Sequence, residues 1–297
     1  MAVKKNLEFG CYPQNLVTDE AIVGALGGFD ESWKSYGYVL GTIEEKKVPW
    51  FVDFMYFIDK VYKGKKYRGV YFTSYRTDAP IIDSRPINSR QPKNGYMINT
   101  VYWFEYAPIQ WDVLKSGAEG NLMISTKVLD SQEFYFYSDY SQLREHKDYQ
   151  GHRREVYDNN YQFSNLRTWL NTTFLQTAFT PAERSKLLVT SQDNGLESTC
   201  RTQNIYLCET TRDKVFALSS LEVTTYIPEP KERLKEATDY AKCQSLWMMG
   251  KRCAQWWLRS PHHSYGATAQ VVFFDGTVDN GSTFAATTGV VPAIVVK

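Results

Sequence analysis

Three features of the sequence predict an α+β fold in which mixed and antiparallel sheets carry at least two packed helices. Residues 35–77 are dense in Tyr, Phe and Val and read as strands and hairpins. In the middle of the chain, Leu166, Trp169, Leu170 and Phe174 recur at helical spacing behind Ser164, and Thr180-Pro-Ala-Glu183 is a capping box with proline in the first turn. Beyond Gln255, short apolar segments are broken by Asp275-Gly276 and Asn280-Gly281, both tight-turn dipeptides.

The elements follow in order. Leu7, Phe9 and Cys11 alternate with polar or small residues and predict a strand that Pro13 ends. Thr18 and Asp19 offer N-caps to a short helix whose apolar face is Ala21, Ile22, Ala25 and Leu26, and Gly27 with Gly28 stops it. The basic run at 60–68 (KVYKGKKYR) reads as a hairpin with a solvated tip at Gly64. Residues 78–93 lose all periodicity, and Pro80, Pro86 and Pro92 mark an irregular loop. Strands are expected at 100–106, 109–114, 122–129 and 214–218, a helix at 238–247, and closing strands at 255–260 and 289–296. Trp103, Trp111, Trp169, Trp256 and Trp257 fall in strand or helix patterns and are expected to pack.

The chain of 297 residues, 43% hydrophobic and 23% charged, has enough apolar material for a substantial core and reads as one domain, 1–297, with an insertion at about 36–93. With 34 Lys plus Arg against 33 Asp plus Glu, it lacks the basic surplus that a nucleic-acid partner requires. No window approaches the roughly 20 apolar residues of a membrane span, so no membrane insertion is expected. The start, MAVKKNLEFG, lacks the apolar run of a signal peptide, which predicts a cytoplasmic or phage-particle location unless a leader has been removed. The five cysteines form neither a CxxC pair nor a zinc spacing with histidine; most are expected to be buried, with Cys200 and Cys208 near enough in sequence to meet across a loop. The sequons at Asn171 and Asn280 matter only in a glycosylating host.

Motifs that carry chemistry are missing: there is no nucleophile elbow, no HExxH and no glycine-rich phosphate loop. The four histidines are His146, His152, His262 and His263. The adjacent pair would need Asp275 or Asp279 folded nearby to bind a metal, and two exposed contact residues in a loop is the simpler expectation. The sequence therefore predicts a non-enzymatic protein without cofactor or metal.

Trp256-Trp257-Leu-Arg-Ser-Pro261, Ala269-Gln-Val-Val-Phe-Phe-Asp-Gly276 and Gly289-Val-Val-Pro-Ala-Ile294 resemble motifs of a family of largely uncharacterised bacterial and phage proteins. Phe9-Gly-Cys-Tyr-Pro-Gln14, Pro108-Ile-Gln-Trp-Asp-Val-Leu114 and Asn165-Leu-Arg-Thr-Trp-Leu-Asn171 extend the resemblance over most of the chain. The terminal elements resemble the C-type-lectin fold shared by formylglycine-generating enzymes (sulfatase-modifying-factor domains) and the variable proteins of diversity-generating retroelements. That resemblance implies that residues 9–11 pair with residues 290–296, and that Trp257, Leu258 and Arg259 hold the base of a loop region. It further implies a variable, ligand-binding region at 255–297. The contacts to a protein or glycan ligand would be His262, His263, Ser264, Tyr265, Thr277, Asp279, Asn280, Ser282, Thr283 and Phe284.

One local feature agrees. Between Val271 and Val296 there is no Lys, Glu, Gln, Met or Trp, so every codon there can end in a pyrimidine, as adenine-targeted diversification of Asn, Ser, Thr or Tyr codons would leave. Two alternatives are weaker. A formylglycine-generating-like oxidase would need paired copper-binding cysteines, and only Cys243 and Cys253 lie near the relevant end. A calcium lectin would need six to eight oxygens, of which Asp275, Asp279 and Asn280 supply few.

Overall fold

The computed structural model describes residues 6–43, 48–51, 54–78, 89–135, 156–250 and 253–297, the stretch 39–51 through its backbone only. In chain order the elements begin with β1 (Asn6–Leu16), α1 (Glu20–Leu26), β2 (Lys34–Ser35), β3 (Val39–Ile43), β4 (Val48–Phe51), β5 (Met55–Tyr62) and β6 (Lys65–Phe72). Next come β7 (Tyr102–Gly117), β8 (Gly120–Ser125), β9 (Asp130–Ser131), α2 (Asn165–Trp169), a π-helical turn (Leu170–Phe174), α3 (Leu175–Ala178) and α4 (Pro181–Lys186). The remainder comprises β10 (Thr190–Gln192), β11 (Thr211–Asp213), β12 (Val215–Phe216), α5 (Ser220–Tyr226), α6 (Asp239–Cys243), β13 (Met248–Met249), β14 (Cys253–Ala254), β15 (Trp256–Pro261), β16 (Thr268–Val272), β17 (Val278–Ser282), β18 (Gly289–Val290) and β19 (Ala293–Val296).

Two sheets dominate the described residues. The larger has the order β12-β19-β8-β7-β6-β5-β2, with β1 also paired to β7. Strand β7 is its axis: Phe104 and Glu105 are bonded to β1 on one side and to β6 on the other, while the far end of β7 pairs with β8. The second sheet, β17-β16-β15-β18-β9, contains the one parallel contact between named strands, from β15 to β18. The chain is thus α+β with mixed sheets. Among the described residues no helix is long and apolar enough to cross a membrane.

The C-terminal strands separate two cores, which explains their unbroken apolar runs. Trp257, Val271, Met123 and Ile294 pack into the core beneath the helices with Trp111, Leu166, Leu170 and Phe174. Their neighbours Trp256, Leu258, Val272, Ile124 and Ala293 face the other way, into a second core with Leu218, Val223 and Ile227. A strand buried on both faces has no polar side to alternate with, so period-two patterning disappears. A third, smaller cluster lies under α1, where Leu26, Trp33, Tyr67 and Trp103 are buried together.

Several sequence expectations hold. Asp19 caps α1 through the amides of Ala21 and Ile22, and the Thr180 capping box is complete. The β5–β6 hairpin turns at Lys63 and Gly64, both with positive φ. Other expectations need correction. Strand β1 runs on through Pro13 to Leu16, and the strands expected at 100–106 and 109–114 are a single strand passing through Pro108. Both prolines sit beside register shifts of the β1–β7 ladder, where a missing N–H costs no ladder bond, and the Gln14 amide donates to the carbonyls of Ala107 and Pro108 at 2.8 and 3.1 Å.

The N- and C-terminal strands do not pair as expected: β1 and β19 share a sheet, but β7 and β8 lie between them. The closing segment at 289–296 is two strands in two sheets, divided at Val291 and Pro292. Asn280-Gly281 is no turn; it lies inside β17, opposite Gln270 and Ala269. Gly281 is small there because a Cβ would come within 3.0 Å of Val271 and 3.2 Å of the Trp257 ring. Helix α6 ends at Cys243, short of the predicted 247, and Ser245 turns the chain with a φ of 79°. Helix α5 was not anticipated, although Ser219 and Glu222 form its capping box. All five cysteines are free; Cys208 and Cys243 are buried and Cys200 is exposed. His146 and His152, with Pro80 and Pro86, lie outside the described residues.

Close packing makes one position in the large sheet decisive. A Cβ on Gly69 would stand 2.5 Å from the Trp33 ring and 2.9 Å from that of Trp103, and those rings meet edge to face at 5.6 Å. Gly69→Val should therefore destabilise the protein by about 2–3 kcal/mol through overpacking in urea denaturation, with Gly69→Ala intermediate; unchanged stability in both variants would refute this packing.

Candidate ligand-binding face

The base of the C-terminal loops is built around Arg259, which is 2% exposed. Its guanidinium donates to both carboxylate oxygens of Glu222 at 2.5 and 2.9 Å, and to the carbonyls of Ala217 at 2.9 Å and Asp193 at 3.2 Å. Glu222 also closes the α5 cap by accepting the Ser219 amide at 2.8 Å, so one carboxylate fixes a helix and a strand together. Next to it the Trp257 indole donates to the Gln132 carbonyl at 2.7 Å, and Trp256 to that of Arg233 at 3.1 Å. These residues anchor β15 from both faces.

The loop between β15 and β16 is equally constrained. The Nδ1 atom of His262 accepts the amides of Ser264 and Tyr265 at 3.0 and 3.1 Å, which requires the ring to be unprotonated at that nitrogen. Burial, followed by the nearby His263 and Arg201, lowers the His262 pKa and favours that form. From below, the Asn159 side-chain amide donates to the carbonyls of Tyr265 and Thr268 at 3.0 and 3.1 Å, and its backbone amide to that of Gly266 at 2.9 Å. Thr283 bonds the Ala267 carbonyl twice, and its own carbonyl accepts the amides of Phe134 and Tyr135.

Within this frame the sequence-predicted contacts separate by role. His263, Ser264, Tyr265 and Ser282 are exposed at one end of the β15–β16–β17 unit, with Tyr265 at 67% exposure the most prominent large side chain among the candidates. Phe284 is half-buried against the main core. His262 and Thr283, expected at the surface, are 7% and 0% exposed; they are clamps that spend their polar atoms on backbone. Thr277 lies at the opposite end of β16, in the turn where its amide and hydroxyl donate to Asp275 at 2.9 and 2.6 Å. These bonds lower the Asp275 pKa. Asp279 and Asn280 lie between the two ends on β17, the edge strand of this sheet among the described residues. The structure therefore gathers the loop residues 263–265 with Ser282 and leaves Thr277 roughly 13 Å away along a five-residue strand.

Sequence reasoning missed the supports contributed from afar: Asn159, Tyr157, whose ring packs on Gly266, and Asn204 and Tyr206, which bond the carbonyls of Pro261 and Ser264 at 3.2 Å. Their only signal was an Asp-Asn-Asn turn at 158–160 after a Tyr. Among the described residues no three His, Cys, Asp or Glu side chains are placed to hold a metal ion. Burial pushes the Cys243 thiol pKa up from its ordinary value.

Fold and site together describe an α+β protein that presents a small polar and aromatic face on a tightly braced sheet. Residues 119–297, well over half of the chain, match the model of a domain of unknown function, DUF6273, and the chain belongs to that family. No curated protein and no solved structure matches it. The match starts at the β7–β8 hairpin and contains Arg259, Asn159 and the whole loop face.

Asp158, in the turn that supports this face, is 3% exposed and has a carboxylate oxygen with no hydrogen-bond partner among the described residues. Burial raises its pKa to about 7. Because the folded state binds this proton more tightly than the unfolded chain, the stability Asp158 contributes is present below about pH 4 and is lost as the pH rises through about 7. Asp158→Asn should stabilise the protein on the order of 2 kcal/mol at pH 8 and match it near pH 4, as read by urea denaturation at both values; a pH-independent difference would contradict the assignment.

Proposed function

We propose that this chain is a non-enzymatic ligand-binding protein of C-type-lectin-like architecture, a variable protein of the diversity-generating-retroelement kind. Its recognition surface is His263, Ser264, Tyr265 and Ser282, flanked by Asp279, Asn280 and the half-buried Phe284. The observation that carries this reading is the division of labour around the loops. Side chains that hold the backbone are buried and use their polar atoms on it, whereas His263, Ser264, Tyr265 and Ser282 are exposed, with the rings of His263 and Tyr265 resting on His262 at 4.5 and 5.3 Å. Rigid scaffolds with substitutable Tyr, Ser, His and Asn at loop tips are how binding proteins gain affinity at low entropic cost. The pyrimidine-compatible codons of residues 271–296 are consistent with the same reading.

The partner is a protein or glycan ligand. The expected test result lies in DNA. A near-copy of the codons for 255–297 beside a reverse-transcriptase gene should differ at adenines, and the differences should fall on codons 263, 264, 265, 279, 280 and 282 while sparing those for His262 and Thr283. Differences concentrated on the buried codons, or the absence of any such copy, would overturn the diversified reading.

A further inference from the structure

A cavity of about 460 Å³ opens on the other side of the segment that carries β9. Its floor is buried and polar: Tyr12, Asp130, Tyr240 and Arg68 are 2%, 2%, 1% and 5% exposed. One wall holds Tyr36, Phe57 and Glu133, and the opposite wall is the α2 helix and the π-helical turn, with Asn165, Trp169 and Thr173. Its volume falls in the usual range for small-molecule sites, and π-helical turns occur frequently at functional sites. Neither the loop face nor the codon pattern involves any of these residues.

The chemistry of the lining selects its ligand. Tyr12 donates to Asp130 at 2.6 Å, and that carboxylate also accepts the Ser131 amide and the Gln132 side chain at 2.7 and 3.1 Å. Tyr36 and Tyr240 share a hydroxyl–hydroxyl bond of 2.8 Å. The charged side chains other than Asp130 are already matched within the protein. Arg68 is bidentate to Asp59 at 2.8 and 3.0 Å, and Glu133 accepts from Arg76 at 2.7 Å. The protein's own guanidiniums also cover aromatic faces, Arg76 over Tyr38 at 3.8 Å and Arg68 over Phe57 at 4.7 Å. A cationic ligand would find these faces occupied, and an anionic one would meet the carboxylates of Asp130 and Glu133. What remains is a set of hydroxyls, carboxylate lone pairs and aromatic walls.

The geometry points to a binding site for one neutral sugar ring, separate from the loop face, with Asp130, Tyr36 and Tyr240 bonding ring hydroxyls and Trp169 forming an apolar wall. Sugars suit such a lining because each ring carries hydroxyls that donate and accept as well as C–H faces that pack on aromatics.

Saturation-transfer NMR on the full chain tests this with glucose, galactose, mannose, N-acetylglucosamine and N-acetylgalactosamine as probes, and choline and inorganic phosphate as charged contrasts. At least one neutral sugar should bind with a dissociation constant on the order of 1 mM or tighter, and choline and phosphate should not. Trp169→Ala should weaken that binding about tenfold or more. Thr173→Trp, at an exposed position lining the cavity, should do the same by filling it, with urea denaturation checking that the variant folds like the parent. Replacing His263, Tyr265 and Ser282 together by Ala should leave sugar binding unchanged, which separates this site from the loop face. Silence from every sugar, binding of choline or phosphate instead, or a sugar signal that survives both cavity variants would overturn the proposal.

Discussion

The pairing of the buried Arg259 with the half-buried Glu222 is the contact on which the C-terminal half depends. It ties β15, the strand with a core on each face, to α5, and it draws in the carbonyls of Ala217 and Asp193. Glu222 keeps 26% of its side chain exposed, so the pair adds little net stability, but removing Glu222 would leave the buried Arg259 without its charge partner. Its contribution is therefore to position. It sets where β15 ends and where the chain enters the loop at Pro261, and everything exposed beyond that point inherits its geometry.

The same logic continues upward in weaker bonds. His262, Asn159 and Thr283 each place side-chain polar atoms on loop backbone, and residues 134 and 135, in the bend after β9, close the arrangement. Such side-chain-to-backbone bonds make a loop conformation independent of what its outward side chains are. The tips themselves, His263, Ser264, Tyr265 and Ser282, are exposed. The cavity on the other side of β9 is different in kind: its polar atoms are bonded to one another, which fixes their directions and favours a ligand of defined shape.

Much of this was legible in the sequence and some was not. Helix caps are local, so Asp19, Ser164 and Thr180 announced their helices correctly; Ser219 carried the same signature and passed unremarked beside the KVFAL strand. The α+β class followed from periodicity. What failed was anything decided at a distance. Pro13 and Pro108 looked like strand ends because a proline lacks a donor, yet bulges in the β1–β7 ladder tolerate both. Asn280-Gly281 looked like a turn, but the Trp257 ring above Gly281 explains the glycine. On the C-terminal loops, burial and bonding partners were not legible for every residue. Nothing local says that His262 is spent on Ser264 and Tyr265 while His263 is exposed, or that Asn159 reaches the loop from 106 residues away. The cavity was invisible for the same reason, because its lining comes from residues as far apart as Tyr12 and Tyr240.

The claim that bracing and recognition are carried by different side chains of one loop is tested most directly by paired libraries. In one, codons 263, 264, 265 and 282 are randomised together; in the other, codons 159, 262 and 283 are, and the folded, protease-resistant fraction of each is counted by display and sequencing. The account predicts that most members of the first library fold like the parent, while nearly all of the second are lost or destabilised by more than about 1 kcal/mol per lost clamp. Equal losses in the two libraries would contradict it.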